Sequence, residues 1–277
     1  METEPMLARP FEGDVDEFIL NNDWVFEQKI DGKRALVHVR DRVPTAYNRK
    51  GDETGLPDTV REAFDMKGFD GYWVFDGEIL DHHLWVFDVI ACPGADGGVT
   101  DLRDLAFSQR RQFLEGLFET WQHKNVKLVR QEFVDVRKSL LLKQIHEEGG
   151  EGVVIKNLTG RYQSGKRSHA WLKLKFTATH EVIVTGLNRG GKELAVDVGH
   201  YHETEEGMVC IDAGGLKIPE GPIKDIEVGS VVEVRYLYAT DDHKLYQPVF
   251  LRKRDDKTPD DCTTEGLQYT SRRVVVE

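Results

Sequence analysis

The chain has 277 residues, of which 39% are hydrophobic and 31% charged, which is enough apolar material for one large domain or two smaller ones. Its formal net charge of −12 argues against indiscriminate coating of nucleic acid, because such binding depends on neutralising phosphates, but it leaves room for a local basic groove. Three widely separated cysteines and the lack of zinc-ligand spacing argue against a disulfide framework and a zinc site.

The N-terminal stretch METEPMLARPFEGDVDEF has no apolar signal core, and no segment of the chain approaches membrane-spanning length. We therefore expect a soluble, cytoplasmic protein in a reducing compartment, with no membrane partner.

The first 175 residues or so are dominated by short segments rich in β-branched and aromatic residues, separated by Gly, Asp and Asn. This pattern predicts strands. The predicted strands are Trp24–Phe26, Ala35–Val39, Tyr72–Leu80, Leu84–Ile90, Lys127–Val134, Gly152–Lys156 and Ala170–Phe176. Apolar periodicity predicts helices over Phe107–Trp121 and Ser139–Glu148. Antiparallel sheet in an α+β domain fits this mixture better than alternating βαβ units.

After Thr177 helical periodicity almost disappears and five strand candidates follow at short intervals. They are Glu181–Leu187, Glu193–His200, Met208–Ala213, Val231–Tyr238 and Pro248–Arg252. Five strands in about a hundred residues predict a small β-barrel, of which the OB-fold is one nucleic-acid-binding example. We place the boundary near Lys175–Thr179, so the predicted domains are 1–177 and 178–277.

Three basic residues and one acid interrupt the first strand region, in the stretch Lys29-Ile30-Asp31-Gly32-Lys33-Arg34. A lysine at a strand end is usually solvated, but neighbouring positive charges favour the neutral amine, which is a nucleophile. Gly32 allows a close backbone approach or a positive φ. This stretch therefore predicts either an ordinary surface lysine or an activated Lys29.

Later segments carry further charged residues beside apolar strands. Strand alternation places Asp76 and Glu78 on one face, where they either bind a cation or sugar hydroxyls or form an ordinary polar outer face. Glu151, before an apolar strand, is a candidate ligand for a hard ion such as magnesium. The same alternation puts Lys173 and Lys175 on one face, which suits either polyphosphate or the wet side of an edge strand.

The tripeptide Trp-Val-Phe occurs three times, and each copy is followed at once by an acid: Glu27, Asp76 or Asp88. One interpretation is that these three residue types are simply good strand formers. The other is that three strand ends deliver polar groups to one common site.

Taken in order, these motifs resemble those of the covalent nucleotidyltransferases, and most closely of the ATP-dependent DNA ligases. The matching motifs are KxDGxR at 29–34, the arginine-glycine motif at Arg49-Lys50-Gly51, DGE at 76–78, the aromatic strand at 84–88, EGVVIK at 151–156, the paired lysines at 173–175 and RxDK at 254–257. The resemblance spans nearly the whole chain.

The resemblance implies an α+β, antiparallel-sheet adenylyltransferase domain of the ATP-grasp-like type, followed by an OB-fold β-barrel domain. ATP and Mg²⁺ are the implied cofactors, with Mn²⁺ as an alternative metal, and nicked double-stranded DNA is the implied partner of a monomeric enzyme. The implied activity is sealing of 5′-phosphate/3′-hydroxyl nicks through a lysyl-AMP intermediate and a DNA-adenylate.

The resemblance also implies a role for individual residues. Lys29 would attack the α-phosphate, Lys173 and Lys175 would contact it, and Arg254, Asp256 and Lys257 would orient the leaving pyrophosphate in the first step only. The implied nucleotide-binding residues are Glu27, Asp31, Arg34, Arg49, Glu78, Phe87, Lys173 and Lys175, with Phe87 stacking on adenine. Glu78 and Glu151 are the implied metal ligands.

Two alternatives remain open at this stage. An RNA ligase or an mRNA-capping guanylyltransferase would use the same lysine chemistry, although Thr258-Pro259 after the RxDK motif resembles DNA ligases more. A non-catalytic nucleic-acid-binding module would not need both Glu78 and Glu151. The 23 residues before Trp24 are too few for a helical DNA-binding domain, so we expect a weak and salt-sensitive grip on DNA.

Overall fold

The computed structural model describes residues 3–65, 68–189, 194–219 and 225–269. The chain folds as two compact units, the first reaching to Leu174 and the second beginning at Lys175. No helix in these ranges is both long enough and apolar enough to cross a bilayer.

The first unit contains two β-sheets and four α-helices. Its strands are β1 (Leu7–Pro10), β2 (Trp24–Gln28), β3 (Lys33–Arg40), β4 (Val43–Tyr47), β5 (Glu53–Thr54), β6 (Tyr72–Leu80), β7 (His83–Pro93), β8 (Val99–Asp101), β9 (Val126–Leu128), β10 (Gln131–Glu132), β11 (Gly152–Asn157) and β12 (Arg167–Lys175). Its helices are α1 (Val15–Ile19), α2 (Asp58–Arg61), α3 (Phe107–Thr120) and α4 (Asp135–Glu147), with a 3₁₀ turn at Glu62–Phe64.

The two sheets differ in strand order. The first sheet runs β1-β12-β11-β2-β10, and the second runs β5-β4-β3-β6-β7-β8 with β9 parallel to β7. Most pairs are antiparallel, as expected, but β1 lies parallel to β12. Because β2 belongs to the first sheet and β3 to the second, the four residues between them pass from one sheet to the other.

Strand alternation divides the core of this unit between two clusters. Ala35, Val37 and Phe75 point from the second sheet into a cluster that includes Leu114 and Trp121. The intervening side chains, among them Leu36, Val74 and Phe87, join Trp171 of the first sheet in another cluster. Both faces of β3, β6 and β7 are therefore buried, which explains their nearly continuous apolar sequences.

The second unit is an antiparallel sheet of five strands in the order β15-β14-β13-β16-β17. The strands are β13 (Ala178–Arg189), β14 (Leu194–Thr204), β15 (Gly207–Ile218), β16 (Val231–Tyr236) and β17 (Val249–Lys253), and a 3₁₀ turn follows at Pro259–Asp261. Its core includes alternating valines from β13, β14 and β16. Among the described strands no hydrogen-bonded pair joins β15 to β17, so the sheet is open where the sequence predicted a closed barrel.

The predicted elements of both units are largely confirmed, with shifted ends. The strand Tyr72–Leu80 has the predicted bounds, and Phe107–Thr120 is shorter than the predicted helix by one residue. The predicted strand Lys127–Val134 is instead two short strands, β9 and β10. Glu193, the predicted start of another strand, lies outside the described residues. The strands β1, β4, β5 and β8 were not predicted.

Candidate functional site

A cleft opens in the first unit. Seven residues singled out from the sequence line it: Glu27, Lys29, Arg34, Arg49, Glu78, Phe87 and Lys173. Glu151 adjoins it through Lys29. Asp31 and Lys175 are not among its lining residues.

Lys29 lies at the edge of the cleft because β2 ends one residue before it. Its backbone N–H donates to the carbonyl of Gly152 at 2.9 Å, which anchors it to β11. Its ammonium group donates to Glu151 Oε2, and the two side chains are 20% and 3% exposed. The sequence suggested crowding by basic neighbours, but Lys33 is exposed and Arg34 binds an acid, so the immediate charged partner of Lys29 is a carboxylate.

Gly32 allows the loop between the sheets to pack tightly on β6. A Cβ atom at this position would lie 2.5 Å from the carbonyl oxygen of Ile79 and 3.3 Å from the Cβ of Glu78. The glycine is therefore needed for space. This close approach fixes Lys29 relative to Glu78, which β3–β6 pairing places opposite Arg34.

Arg34 is held rigidly behind the cleft. Its Nε and Nη2 atoms donate to the two carboxylate oxygens of Asp76, each at 2.6 Å, and Nη2 also donates to the Met6 carbonyl at 3.0 Å. Although burial alone would lower the pKa of Arg34, Asp76 raises it above its ordinary value. The guanidinium carbon lies 4.7 Å from the centre of the Phe87 ring, so the cation is fixed beside that aromatic side chain.

Glu78 is the carboxylate best suited to an additional ligand. Its Oε2 atom is buried and has no hydrogen-bond partner. Burial raises the pKa of Glu78 to about 7, while the positive charges of Arg34 and Lys29 act in the opposite direction. A buried carboxylate oxygen without a partner is costly, so a cation bound there would remove that cost.

Glu78 and Glu151 together fit a magnesium ion. Mg²⁺ is commonly held by one or two carboxylates and completes its octahedron with waters and substrate phosphates. Over the described ranges no group of three or more His, Cys, Asp or Glu side chains forms a metal cluster.

Lys156, the last residue of the EGVVIK motif, lines the cleft, although the sequence assigned it no role. Lys156 is 1% exposed, and its ammonium group lies 2.5 Å from Glu27 Oε2. The same group is 4.4 Å from the ring centre of Phe87, 4.7 Å from that of Phe107 and 4.3 Å from that of Trp171. Burial lowers the pKa of Lys156, whereas Glu27 acts to raise it. An acid–base pair in an aromatic enclosure offers stacking surface and polar anchors to a planar base.

The three acids that follow the Trp-Val-Phe tripeptides share one feature. Glu27, Asp76 and Asp88 are all buried, and each pairs with a buried or half-buried cation. The Asp88 carboxylate accepts from Arg110 Nε and Nη2 at 2.9 and 2.8 Å. Only Glu27 lines the cleft, so the other two acids support the site from behind.

Three further basic residues line the cleft. Lys173 is half-buried, Arg49 is exposed, and Arg167, at the end of a basic, glycine-containing loop, donates to the carbonyl of Ala8 at 3.1 Å. These three cations suit a polyphosphate. Lys175 belongs to the second unit, where its ammonium group donates to Gln247 Oε1 at 3.0 Å.

The other predicted site residues, Arg254, Asp256 and Lys257, lie in the second unit. Arg254 donates to both carboxylate oxygens of Asp256 at 2.8 Å and to Glu181 at 2.6 Å. The hydrogen bonds from Arg254 hold the pKa of Asp256 well below its usual range. Lys257 is half-buried. Two members of the RxDK motif are therefore paired with each other.

Comparisons with known proteins point to one family. Residues 79–175 match the family model described as ATP dependent DNA ligase domain. The chain is 26% identical to the multifunctional non-homologous end joining protein LigD of Mycolicibacterium smegmatis, over 94% of this chain and 39% of LigD. It is 29% identical to a DNA ligase of Halobacterium salinarum, over 68% of this chain and 38% of that ligase. The chain thus spans about two fifths of the length of these relatives.

Solved structures show the same fold. A structure described as a Lig E DNA ligase has a TM-score of 0.64 at 21% identity and covers 91% of this chain and 99% of its own. A mycobacterial DNA ligase D complexed with ATP and MES has a TM-score of 0.55 at 23% identity, with 94% and 97% covered. The resemblance to ATP-dependent DNA ligases and the mixed α+β fold are confirmed by these comparisons.

Proposed function

We propose that this chain, whose residues 79–175 match the ATP dependent DNA ligase domain, is an ATP-dependent DNA ligase that seals nicks through a lysyl-AMP intermediate. The observation that carries the proposal is the position of Lys29. It lines one cleft with Glu78, the rings of Phe87 and Trp171, and the cations Arg49, Arg167 and Lys173, and its ammonium group contacts Glu151. The first unit is the proposed adenylyltransferase domain and the second the proposed OB-fold domain.

In the first step, Lys29 Nζ attacks the α-phosphorus of ATP. A nitrogen–phosphorus bond forms, the bond from that phosphorus to the bridging oxygen breaks, and pyrophosphate leaves while the amine gives up a proton. Such a transfer asks the protein mainly for alignment and charge neutralisation. Arg49, Lys173 and Arg167 can neutralise the phosphates, and Phe87 with Trp171 can hold the base.

Glu78 and Glu151 would hold Mg²⁺, with Mn²⁺ as an alternative. The ion, when bound, withdraws charge from the phosphate oxygens. The free Oε2 of Glu78 supports this assignment, and so does the position of Glu151 against Lys29. Glu151 also pairs with the ammonium group of Lys29 and would thus place a bound ion beside the nucleophile.

In the second and third steps the AMP passes to the 5′-phosphate of a nick and the 3′-hydroxyl displaces it. We propose nicked duplex DNA as the acceptor because the relatives that match this chain are named DNA ligases. Lys175, Arg254, Asp256 and Lys257 would act on the phosphates of ATP and its leaving pyrophosphate, and Asp31 would support the nucleotide-binding loop. The pairing of Arg254 with Asp256 supports a joint role for the RxDK motif.

The decisive experiment measures transfer of the label from an α-³²P-labelled nucleotide to the protein, followed by sealing of a nicked duplex. The chain is incubated with labelled ATP or GTP and Mg²⁺, resolved under denaturing conditions, and then offered nicked DNA or nicked RNA duplex. We expect a covalent adduct with ATP, and sealing of the DNA nick with release of AMP. Preferential labelling by GTP would point to a capping-type enzyme, and preferential sealing of RNA to an RNA ligase.

Two variants within one motif provide the control. Lys29→Ala removes the proposed nucleophile, so it should form no adduct while keeping the thermal midpoint of the parent protein. Lys33→Ala removes an exposed lysine four residues away and should form the adduct normally. Adduct on the Lys29→Ala protein would assign the nucleophile to a different residue.

A further inference from the structure

Tyr162 is a buried residue in the loop before β12, and its hydroxyl group makes two hydrogen bonds. It donates to Asp76 Oδ2 at 2.6 Å and accepts from the backbone N–H of Met6 at 3.0 Å. The side chain is 4% exposed. Asp76 also accepts hydrogen bonds from Arg34, so it links the Tyr162 hydroxyl to the guanidinium group that lies beside Phe87.

The N-terminal segment completes the same network. Met6 is fully buried; its carbonyl accepts from Arg34 Nη2 at 3.0 Å, while its N–H donates to Tyr162. The next residue, Leu7, donates its N–H to the carbonyl of Lys166 at 2.8 Å and begins the parallel pairing of β1 with β12. Leu7 and Ala8 then line the cleft. The backbone N–H and carbonyl of Met6 therefore join the N-terminal segment, which lines the cleft at Leu7 and Ala8, to both Tyr162 and Arg34.

We propose that Tyr162 is a positioning residue for nucleotide binding, which fixes Arg34 through Asp76 and fastens the N-terminal segment Met6–Ala8 as a wall of the nucleotide site. This inference rests on the proposed function, since it takes the occupant of the cleft to be ATP. No other described side chain donates to the Asp76 carboxylate besides Arg34 and Tyr162. The hydroxyl is thus the neutral partner that completes a buried ion pair.

We expect loss of the Tyr162 hydroxyl to weaken ATP binding rather than to slow the chemical step, because of the position of Arg34. Its guanidinium group lies beside Phe87, whereas the reacting amine of Lys29 lies against Glu151. Removing the hydroxyl leaves Asp76 Oδ2 with one partner fewer and the Met6 N–H without its acceptor, both in a buried site. Arg34 and the wall at Leu7 should then occupy several positions, which weakens the grip on the nucleotide without moving the nucleophile.

The test compares Tyr162→Phe with Tyr72→Phe. Tyr72 also donates or accepts one hydrogen bond, to His38 Nδ1 at 2.7 Å, and lies outside the cleft, so its variant controls for loss of a tyrosine hydroxyl. Initial rates of adduct formation are measured across ATP concentrations. For Tyr162→Phe we expect the KM for ATP to rise about tenfold with kcat within threefold of the parent, and for Tyr72→Phe both constants should stay unchanged.

A double-variant cycle separates positioning from a general structural role. If Tyr162 acts through Arg34, Tyr162→Phe should add less than a twofold increase in KM to a protein that already carries Arg34→Lys. Increases that multiply fully would show that the two residues act independently and would overturn the proposal. A loss of kcat at unchanged KM, or a lowered thermal midpoint with both constants unchanged, would overturn it too.

Hydrogen–deuterium exchange of the parent protein gives a second measurement that needs no variant. Ligand binding and local opening are thermodynamically linked. A segment whose ordered state helps to bind ATP must therefore open less often when ATP is bound. Exchange in peptides that cover Met6–Pro10 should slow when ATP is added to the Lys29→Ala protein, which cannot consume it. Unchanged exchange there would overturn the proposal, even if Tyr162→Phe failed to fold. Absence of adduct in the parent protein would instead contradict the proposed function.

Discussion

Substituting Gly32 by alanine tests whether the tight crossing between the two sheets sets the position of Lys29. The added Cβ would lie 2.5 Å from the carbonyl oxygen of Ile79, where contacts below 3.0 Å do not persist and ordinary contacts begin at 3.4 Å. The loop and β6 must therefore separate by about 0.5–0.9 Å. The position of the Cβ atom is fixed by the backbone of residue 32, and its nearest neighbour is a backbone oxygen. The strain therefore cannot be relieved by turning a side chain.

The magnitude follows from that displacement. A misplacement of about 1 Å costs on the order of 100-fold in rate when it separates reacting groups, which corresponds to about 2.7 kcal/mol of activation free energy. Lys29 is three residues from Gly32, and Glu78 is the side chain that the new methyl group touches next, at 3.3 Å. We expect adduct formation to slow by roughly 30- to 100-fold and the free energy of unfolding to fall by about 1–3 kcal/mol.

Single-turnover adduct formation at saturating ATP, paired with urea unfolding, measures both quantities. Gly116→Ala is the matched control, because Gly116 is an exposed residue of α3 and a Cβ there meets nothing within 4 Å. That variant should keep the parent rate and gain up to about 1 kcal/mol in stability from helix propensity. A Gly32→Ala protein whose rate stays within threefold of the parent would refute the idea that this contact fixes Lys29.

Three further predictions concern other parts of the site. Phe87→Ala should raise the KM for ATP in adduct formation, because it removes the aromatic surface proposed to stack on the base; an unchanged KM would assign the stacking to Trp171 or Phe107. Asp256→Ala and Lys257→Ala should slow adduct formation more than sealing of a pre-adenylated nick, and equal losses in both assays would contradict a role in the first step only. Burial raises the native pKa of Glu78 to about 7 from an ordinary 4.5, so between these values the native carboxyl binds more protons than the unfolded one, and the contribution of Glu78 to the free energy of unfolding falls as pH rises across that window. Glu78→Gln should remove that contribution, so the free energy of unfolding in urea should decrease less, or increase more, from pH 5 to 8 than in the parent, with Glu119→Gln, at an exposed position of α3, as a control that leaves the pH dependence unchanged.

Residues that repeat with the strand period were predictable from the sequence. Tyr72–Leu80 alternates apolar residues with Asp76 and Glu78, and the structure indeed places Phe75 in one core cluster and Val74 in the other. Lys29, Glu78 and Phe87 were singled out because each belongs to a motif that resembles those of DNA ligases, and all three line the cleft. The strand β1 gave no comparable signal, since it has only four residues and ends in proline, and its partner β12 begins about 160 residues later.

The sequence by itself determined which residue types stand at strand ends and which faces of β3, β6 and β7 are apolar, because side chains alternate with a period of two whatever the strand's neighbours are. Only the tertiary structure decided which charge meets which. It paired Arg34 with Asp76, Lys156 with Glu27 and Lys29 with Glu151. The two members of each pair are at least 42 residues apart in the sequence. Burial makes these pairings selective, since an ion taken out of water must find a partner, and the partner is set by the packing of two sheets that no local pattern encodes.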